Sequence, residues 1–211
     1  MLPTSIRRAT PADAAALAAF AAAVFPLGCP ETAAADLAAY IADELPPARF
    51  HALLEDPNVI ILLAEACAAA DAAERNPPEL RKRIVAYMVV VRRSAHPSLP
   101  APAAAEFRKL YLDPAYHGTG LASALVHCAL SILNAEGPRP IWLSVFSQNS
   151  RAIAFYKKWG FQIAGTQEFL VGTDRQKDFL MQRDPQPLNF ESCETSNAET
   201  SPATCPCSVK P

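Results

Sequence analysis

Two spacings of apolar residues separate the predicted strands of this chain from its predicted helices. Continuous β-branched and aliphatic runs at 58–66 and 83–91 are typical of buried strands. Apolar positions recur with helical spacing at 12–25, 31–45 and about 119–135, and Pro46-Pro47 is expected to end the second of these helices. The remaining pattern predicts a helix at 150–159 and strands at 5–8, 106–112, 141–146, 161–171 and 177–183.

The predicted order of elements is β-α-α-β-β-β-α-β-α-β-β, which is typical of a mixed α/β domain. We expect this domain to occupy residues 1–183. From about residue 184 the chain is rich in Pro, Ser, Thr, Asn and Glu and nearly empty of aliphatic residues, which predicts a disordered tail at 184–211. Two connections, at 66–82 and 92–105, show no evident chemistry and are interpreted as surface loops.

Composition narrows the class of protein. The chain has 211 residues, of which 51% are hydrophobic, and a net charge of −2, so it can build a core, and its bulk charge does not favour nucleic acid or an anionic membrane. The six scattered cysteines favour a reducing, cytoplasmic compartment. No metal site is expected, because the pair Cys205 and Cys207 lacks further ligands at zinc spacing.

The N-terminal stretch is alanine-rich with two arginines and loosely resembles a transit peptide. Asp13 interrupts it, and we favour a folded strand, turn and helix. Pro26 is expected to stop this first helix, which leaves no apolar run of the ~18 residues that a membrane span needs. We therefore expect no membrane segment.

Two glycines lie one residue apart where a predicted strand gives way to a predicted helix. The stretch reads His117-Gly118-Thr119-Gly120. Free backbone N–H groups and the dipole at a helix N-terminus bind anions, and glycines there let a phosphate approach closely. The residues that a P-loop or a dinucleotide-binding fingerprint needs after Gly120 are absent. By itself, the stretch fits either a phosphate-binding loop or a plain glycine-rich turn.

A second stretch places an amide and a phenol on one side of a predicted helix. Asn149 lies at the junction of strand and helix, and Tyr156 follows seven residues later. At about 3.6 residues per turn, this spacing puts both on nearly the same face, about 10 Å apart along the axis. Such a pair can follow an extended ligand. The alternative is that Tyr156 is a core aromatic residue, as we expect for Phe155.

Together the two stretches resemble the GNAT superfamily of acyl-CoA-dependent N-acyltransferases. Residues 112–122 are similar to the family's pyrophosphate loop, Gln/Arg-x-x-Gly-x-Gly/Ala after Val/Leu-x-Pro-x-Tyr, with one departure at His117, where the family usually has Gln or Arg. The second motif, Asn-x-x-Ala-x-x-Phe-Tyr-x-x-x-Gly-Phe, is matched by Asn149, Ala152, Phe155, Tyr156, Gly160 and Phe161. The resemblance covers about residues 5–183. It implies a single α/β domain of GNAT type, with a mixed, mostly antiparallel sheet of six to seven strands and about four helices.

The resemblance also implies roles for named residues in direct acetyl transfer from acetyl-CoA, the co-substrate, to an amine. Main-chain groups of a strand would bind pantetheine, and Asn149 would bond one of its amides. Tyr156 would donate a proton to the departing CoA thiolate. The implied cofactor-binding residues are Leu110, Tyr111 and Leu112 on the strand and His117, Gly118, Thr119, Gly120, Leu121 and Ala122 in the loop.

A proton acceptor for the amine is less clear from the sequence. Glu106 aligns with a strand position that carries a glutamate base in some family members. By period two, it is expected to share a strand face with Arg108, Leu110 and Leu112. The alternative is that Glu106 is a solvated carboxylate that pairs with Arg108.

The acceptor favoured by the sequence is a small amine or polyamine. Residues 164–181 look like the closing hairpin of the PaiA-type polyamine acetyltransferase branch, and four carboxylates could attract a cationic amine: Glu31, Glu168, Asp174 and Asp178. Three alternatives stay open: a protein lysine or N-terminal acetyltransferase, a non-catalytic acyl-CoA-binding module, and a binder of another nucleotide. A monomer or a homodimer is expected.

Overall fold

The computed structural model describes residues 4–67, 82–100 and 103–185. Within these ranges the chain forms one seven-stranded sheet with the order β1-β2-β3-β4-β5-β7-β6. Neighbouring strands are antiparallel except for β4 and β5, which are parallel. The strands are β1 Thr4–Arg8, β2 Val59–Cys67, β3 Lys82–Val91, β4 Ala105–Leu112, β5 Ile141–Phe146, β6 Gln162–Val171 and β7 Asp174–Arg183.

Helices cover both faces of this sheet. They are α1 Ala14–Val24, α2 Ala34–Glu44, α3 Pro47–Glu55, α4 Leu121–Ala135 and α5 Ser150–Lys158. Buried residues of α4 and α5 form one apolar cluster with the sheet, and those of α1 and α3 form another on the opposite face. We call these the α4–α5 face and the α1–α3 face. The mixed, mostly antiparallel sheet expected from the sequence is confirmed, with five helices in the described residues instead of about four.

The additional helix is α3, which the sequence interpretation missed. Pro46-Pro47 was expected only to end the preceding helix, but Pro47 is also the first residue of α3. Proline is favourable at that position because its φ is already helical and no backbone N–H is needed there. Phe50, which is 1% exposed, anchors α3 in the core.

A β-bulge in β4 decides which of its side chains share a face. The register with β3 shifts between Val89 and Val90, so that Arg108 has no cross-strand partner. Beyond the bulge, Leu110 and Leu112 pack on the α4–α5 face, whereas Tyr111 packs on the α1–α3 face. The expectation that Glu106 shares a face with both leucines is therefore wrong, because strict alternation does not hold across an extra residue.

The first helical segment is longer than the sequence interpretation allowed. Residues Pro11–Gly28 form a continuous helical run of 18 residues with a mean hydropathy of 1.5, which by length and composition is enough to cross a membrane. Pro26 does not end this run, because it lies in the first turn of a short 3₁₀ helix, where proline is tolerated. Leu17, Ala21 and Phe25 are buried in the core of the α1–α3 face, as in the core helix of a folded domain.

Several predictions concern residues that lie outside the described ranges. They are the 184–211 tail from residue 186 onward, the surface insertion from residue 68 to 81, and the pair Cys205 and Cys207. They stay predictions.

The hairpin formed by β6 and β7 is fastened to α2 by polar contacts at its tip. The N–H of Thr173 donates to Asp36 Oδ1 at 2.7 Å. Thr32 donates to Asp174 Oδ2 at 2.7 Å. Gly172, with a φ of 60°, lets the turn approach so closely that a Cβ there would lie 2.8 Å from the Cα of Asp36. The hairpin thus forms part of the wall of the α1–α3 face.

Replacing Gly172 by alanine should destabilise the fold. A side chain in the left-handed region costs about 1–2 kcal/mol, and the contact with the Asp36 backbone adds to that cost. We expect the melting temperature to fall by roughly 4–8 °C, since 1 kcal/mol corresponds to about 2–4 °C in a domain of this size. The control is Gly28→Ala, because a Cβ at Gly28 meets nothing within 4 Å. Equal melting temperatures for both variants would contradict the tight docking of the hairpin.

Candidate active site

The sheet opens between its two parallel strands. β4 and β5 are paired only at Ala105 with Ile141 and at Glu106 with Trp142, and both strands continue beyond these pairs. From there on, the edge of β4 that faces β5 has no strand ladder, so its main-chain groups are available to an extended ligand. Leu110, Tyr111 and Leu112 lie on this part of β4 and are half-buried. The gap connects the two faces of the sheet.

The two-glycine loop lies at the C-terminal end of β4 and leads into α4. Gly118 has a φ of 77° and Gly120 a φ of 85°, and a Cβ at either position would meet no atom within 4 Å. Gly120 is the N-cap of α4, and the first backbone bond of the helix runs from Ala124 N–H to Gly120 C=O at 2.9 Å. The N–H groups before Ala124 therefore have no intrahelical acceptor. The open space and the free donors make this loop suitable for a phosphate group.

A charged side chain at this loop was missed in the sequence. Arg151, in the first turn of α5, donates from Nη1 to His117 Nδ1 at 2.9 Å. Burial and the nearby charge of Arg151 lower the pKa of His117, which keeps its imidazole neutral and able to accept. The sequence signal was the position of Arg151, two residues after Asn149, but only the fold shows that this turn of α5 lies beside the loop. Arg151 supplies the positive charge that His117 lacks.

Asn149 and Tyr156 belong to α5, as the motif predicted. Asn149 is the N-cap of the helix, and its Oδ1 accepts from Ala152 N–H at 3.0 Å. A bond from Asn149 to a ligand amide would therefore use the Nδ2 donor. Tyr156 is 8% exposed and belongs to the cluster of the α4–α5 face. Burial raises its pKa well above the ordinary value, so the phenol stays protonated at neutral pH and can serve as a proton donor.

Glu106 lies beside the gap, on the face opposite to Tyr156. It is buried, and both of its oxygens accept hydrogen bonds from Arg108, at 3.1 and 2.8 Å, while Ser94 donates to Oε2 at 2.8 Å. The pairing with Arg108 that was considered as an alternative is therefore present, although the carboxylate is buried and not solvated. Both oxygens that a base would use therefore already accept hydrogen bonds, one at Oε1 and two at Oε2.

The four carboxylates expected to attract the acceptor are not brought together. Glu31 is exposed, and Glu168 forms an exposed ion pair with Arg175 at 2.7 Å. Asp174 accepts from Thr32 and Gln176. These groups are bonded within the hairpin and its contact with α2 or lie in solvent.

Asp178 differs from the other three carboxylates, because it is 6% exposed and lies inside the α1–α3 face. Its Oδ2 accepts from Ser144 of β5, whereas its Oδ1 has no hydrogen-bond partner. Burial raises the pKa of Asp178, and the Ser144 bond counteracts part of that rise.

The connection between β3 and β4, interpreted as a surface loop without chemistry, takes part in this network. His96 Nε2 lies 2.9 Å from Gln167 Oε1, and Gln167 Nε2 donates to Ser144 at 2.8 Å. His96 also contacts the ring of Trp142 edge-on, and the indole of Trp142 donates to the Ser94 carbonyl at 2.7 Å. The interpretation of 92–105 as mere surface is therefore wrong for its described residues, because Ser94 and His96 contact Trp142 of β5.

Comparison with known proteins agrees with this geometry. Residues 34–161 match the Acetyltransferase (GNAT) family. An uncharacterized N-acetyltransferase of Mycobacterium tuberculosis strain H37Rv is 38% identical over 173 residues, which cover 82% of this chain and 97% of the relative.

Solved structures share the fold. The PaiA N-acetyltransferase of Thermoplasma acidophilum, crystallised in complex with coenzyme A, has a TM-score of 0.63 at 18% identity and covers 87% of this chain and 99% of its own. The Arabidopsis thaliana NAA60 in complex with acetyl-CoA has a TM-score of 0.63 at 14% identity, covering 86% and 98%. At these identities the similarity shows the fold and leaves the acceptor undefined.

The open parallel strand pair, the glycine-capped helix beside it and the family match together identify an acyltransferase. The chain belongs to the GNAT acetyltransferase family, as its match over 34–161 and its mycobacterial relative show.

Removing the charge of Arg151 should weaken binding of acetyl-CoA. An exposed guanidinium next to a phosphate contributes on the order of 1 kcal/mol, so Arg151→Gln should raise the Kd for acetyl-CoA about fivefold in titration calorimetry. The salt dependence of binding should also decrease, because one cation is lost. Arg49→Gln is the matched control, since Arg49 is exposed on α3 and pairs with Glu44. An unchanged Kd at low salt would show that Arg151 does not face the phosphates.

Proposed function

We propose that this chain transfers the acetyl group of acetyl-CoA to a primary amine, and that a small amine or polyamine is the favoured acceptor. The observation that carries the proposal is the opening between β4 and β5, with a phosphate-binding loop at one end and side chains suited to proton transfer on both faces. The neighbours solved with coenzyme A or acetyl-CoA support the donor. The scattered cysteines support a cytoplasmic setting.

The donor would bind on the α4–α5 face. The pyrophosphate accepts from the backbone N–H groups of 118–122, and the charge of Arg151 adds to the attraction. Pantetheine continues along the open edge of β4 at 110–112 and beside 141–146, where β4 and β5 no longer pair with each other beyond Trp142. This brings the thioester to the gap. Tyr156 then protonates the sulfur as the C–S bond breaks, which turns a poor leaving group into a thiol.

The acceptor would arrive from the α1–α3 face. A cleft of about 330 Å³ lies there between α2 and β6, and its lining includes Tyr40, Phe169 and the acidic residues Asp43 and Glu44. Carboxylates beside aromatic rings attract cations, both by charge and by the negative faces of the rings. This combination supports an amine that is protonated in solution, and a polyamine with more than one such group.

The test of the donor site is thermal stability with and without acetyl-CoA. Ligand at about a hundred times its Kd should stabilise the wild type and Tyr156→Phe by roughly 2.7 kcal/mol. Gly120→Glu should lose this shift, because its carboxylate enters the phosphate site. Gly137→Glu is the matched control, since Gly137 also has a positive φ and open space around its Cβ position. If no CoA ester stabilises the wild type, the proposed acetyl-CoA site is wrong.

The test of the reaction is release of CoA thiol with a panel of acceptors. We expect turnover with primary amines, with polyamines ahead of lysine peptides and free N-termini, and a loss of kcat of about 10²-fold in Tyr156→Phe. A preference for peptides would assign the chain to protein acetylation. Binding of acetyl-CoA without turnover of any acceptor would make it a non-catalytic module.

A further inference from the structure

We infer that Asp178 binds the ammonium group of the acceptor and accepts its proton, so that it, and not Glu106, is the general base. This inference rests on the proposed function and names the base of the same site. It depends on four features of the structure: the position of Asp178, its unpartnered oxygen, the polar chain that holds it, and the contrasting surroundings of Glu106.

Asp178 lies where the acceptor must meet the donor. On β7 it is paired with Phe146, the last residue of β5, in the part of β5 that no longer pairs with β4. Tyr111 lies on β4, on the other side of β5, and burial is the main cause of its raised pKa, with smaller contributions from the nearby Tyr40, Cys29, Tyr156 and Asp178. Tyr156 belongs to the cluster of the α4–α5 face, and Asp178 binds Ser144 on the opposite face, so the two groups lie on opposite faces of the sheet. A thioester held in the opening would have one group on each side of its carbonyl carbon.

The carboxylate is buried with one oxygen unused. Asp178 is 6% exposed, and its Oδ1 has no hydrogen-bond partner among the described residues. Burial and the Ser144 bond account for the shift in its pKa, without a contribution from a nearby cation. An unpaired carboxylate at such a position is unfavourable for the folded protein, and a cationic ligand would relieve that cost. A protonated amine supplies both the positive charge and the donor that Oδ1 lacks.

A series of hydrogen bonds fixes Oδ2, the other oxygen of Asp178. His96 Nδ1 accepts from Ser98 N–H, which places the ring proton on Nε2 and lets it donate to Gln167. Gln167 then donates to Ser144, and Ser144 donates to Asp178 Oδ2. Every donor of the chain therefore points toward Asp178. The carboxylate is held in one orientation, with Oδ1 left for a ligand.

Glu106 has the opposite surroundings. Arg108 binds both of its oxygens and Ser94 binds one of them again. Taking a proton would require Glu106 to give up a bidentate bond to a guanidinium, which is among the stronger hydrogen-bonded pairs in proteins. The Glu106–Arg108 pair serves better as a fixed wall of the site at the bulge of β4.

The transfer balances in atoms and charge. The acceptor R–NH₃⁺ gives one proton to Asp178 Oδ1, and the free electron pair of the nitrogen forms an N–C bond with the thioester carbonyl carbon. The C–S bond then breaks, its electron pair goes to sulfur, and the Tyr156 hydroxyl donates a proton to give the thiol of CoA. The second proton lost by the nitrogen restores Tyr156. The proton on Asp178 leaves to solvent, so that ammonium and thioester yield amide, thiol and one released proton.

The decisive measurement is the pH dependence of kcat/KM for the amine in the wild type and in Asp178→Asn. With a base present, kcat/KM should be level above the pKa of Asp178 and fall below it. Without that base the enzyme depends on the small fraction of free amine. We therefore expect Asp178→Asn to lose about 10²- to 10⁴-fold at pH 7.5 and to recover about tenfold per pH unit as the amine deprotonates. The loss should shrink for a fluorinated analogue of the amine, whose ammonium is more acidic.

The titration of Asp178 must be distinguished from that of other titratable groups near it. They are Cys29 before α2, Tyr40 on α2 and Tyr111 on β4, with His96 linked through Gln167 and Ser144. Burial raises the pKa of each of the first three, to about 12 for Tyr40, so none of them produces an acid limb. His96→Gln isolates the imidazole, and the acid limb should persist in it. Glu106→Gln should also keep the acid limb, whatever its effect on the rate.

A second variant keeps the inference testable if Asp178→Asn folds poorly. The Ser144 bond lowers the pKa of Asp178, so Ser144→Ala should move the acid limb of kcat/KM to higher pH. Folding itself gives an independent sign. Because burial raises the pKa of Asp178 in the folded state above its unfolded value, the folded protein loses stability as pH rises through the folded-state pKa. Asp178→Asn should therefore be no less stable than the wild type at pH 7.5. Asp56→Asn, an exposed and remote change, is the matched control for rate and stability.

The possible outcomes distinguish the role of Asp178 from the proposed function. The inference is supported if the wild type acetylates amines with a level pH profile of kcat/KM and Asp178→Asn loses that level profile. An active wild type whose profile survives in Asp178→Asn and does not move in Ser144→Ala overturns it and leaves the proposed function in place. A wild type without turnover of any amine overturns the proposed function, and the assignment of Asp178 with it.

Discussion

The separation of β4 from β5 is the constraint on which the rest of the structure depends. Every other neighbouring pair of strands is joined by an antiparallel ladder, so the sheet is closed to passage except where this one parallel pair ends after Glu106 and Trp142. The bulge at Arg108 bends β4 just beyond that point. In the proposed function, one face holds the long, anionic donor, the other holds the acceptor, and the two meet in this gap.

Two buried carboxylates on the same face illustrate how surroundings divide chemical roles. Glu106 is neutralised by Arg108, whereas Asp178 is held by one hydroxyl and has an oxygen without a partner. Such contrast is common where proteins perform proton transfer, since a desolvated and unpaired acid is costly unless a ligand completes it. The polar chain from His96 explains how that costly arrangement remains ordered. It also explains why the β3–β4 connection folds back over β5.

The sequence predicted the helices and strands better than it predicted which face of the sheet each side chain occupies. The apolar runs of β2 and β3 and the glycines before α4 depend on local chemistry, and they were identified correctly. The start of α3 was missed because Pro46-Pro47 was interpreted only as the end of the preceding helix, although Pro47 begins the next. The faces of Leu110 and Leu112 were missed because a bulge leaves no mark in residue type. Arg151 and Asp178 become informative only once α5 is placed beside the loop and β7 beside β5. Long-range pairing decides both, and no local pattern contains it.

The fastening of the closing hairpin to α2 has a consequence for how such an enzyme can diversify. Gly172 admits Asp36 against the turn, and Thr32 and Asp174 bind across the same contact, so the hairpin and α2 are fitted to each other on the α1–α3 face. The two-glycine loop before α4 shares none of these bonds. On the proposed assignment of donor and acceptor, a lineage could therefore exchange the acceptor by altering α2 and the hairpin together, while inheriting the donor site unchanged. Substitution in one wall alone would meet a mismatched partner.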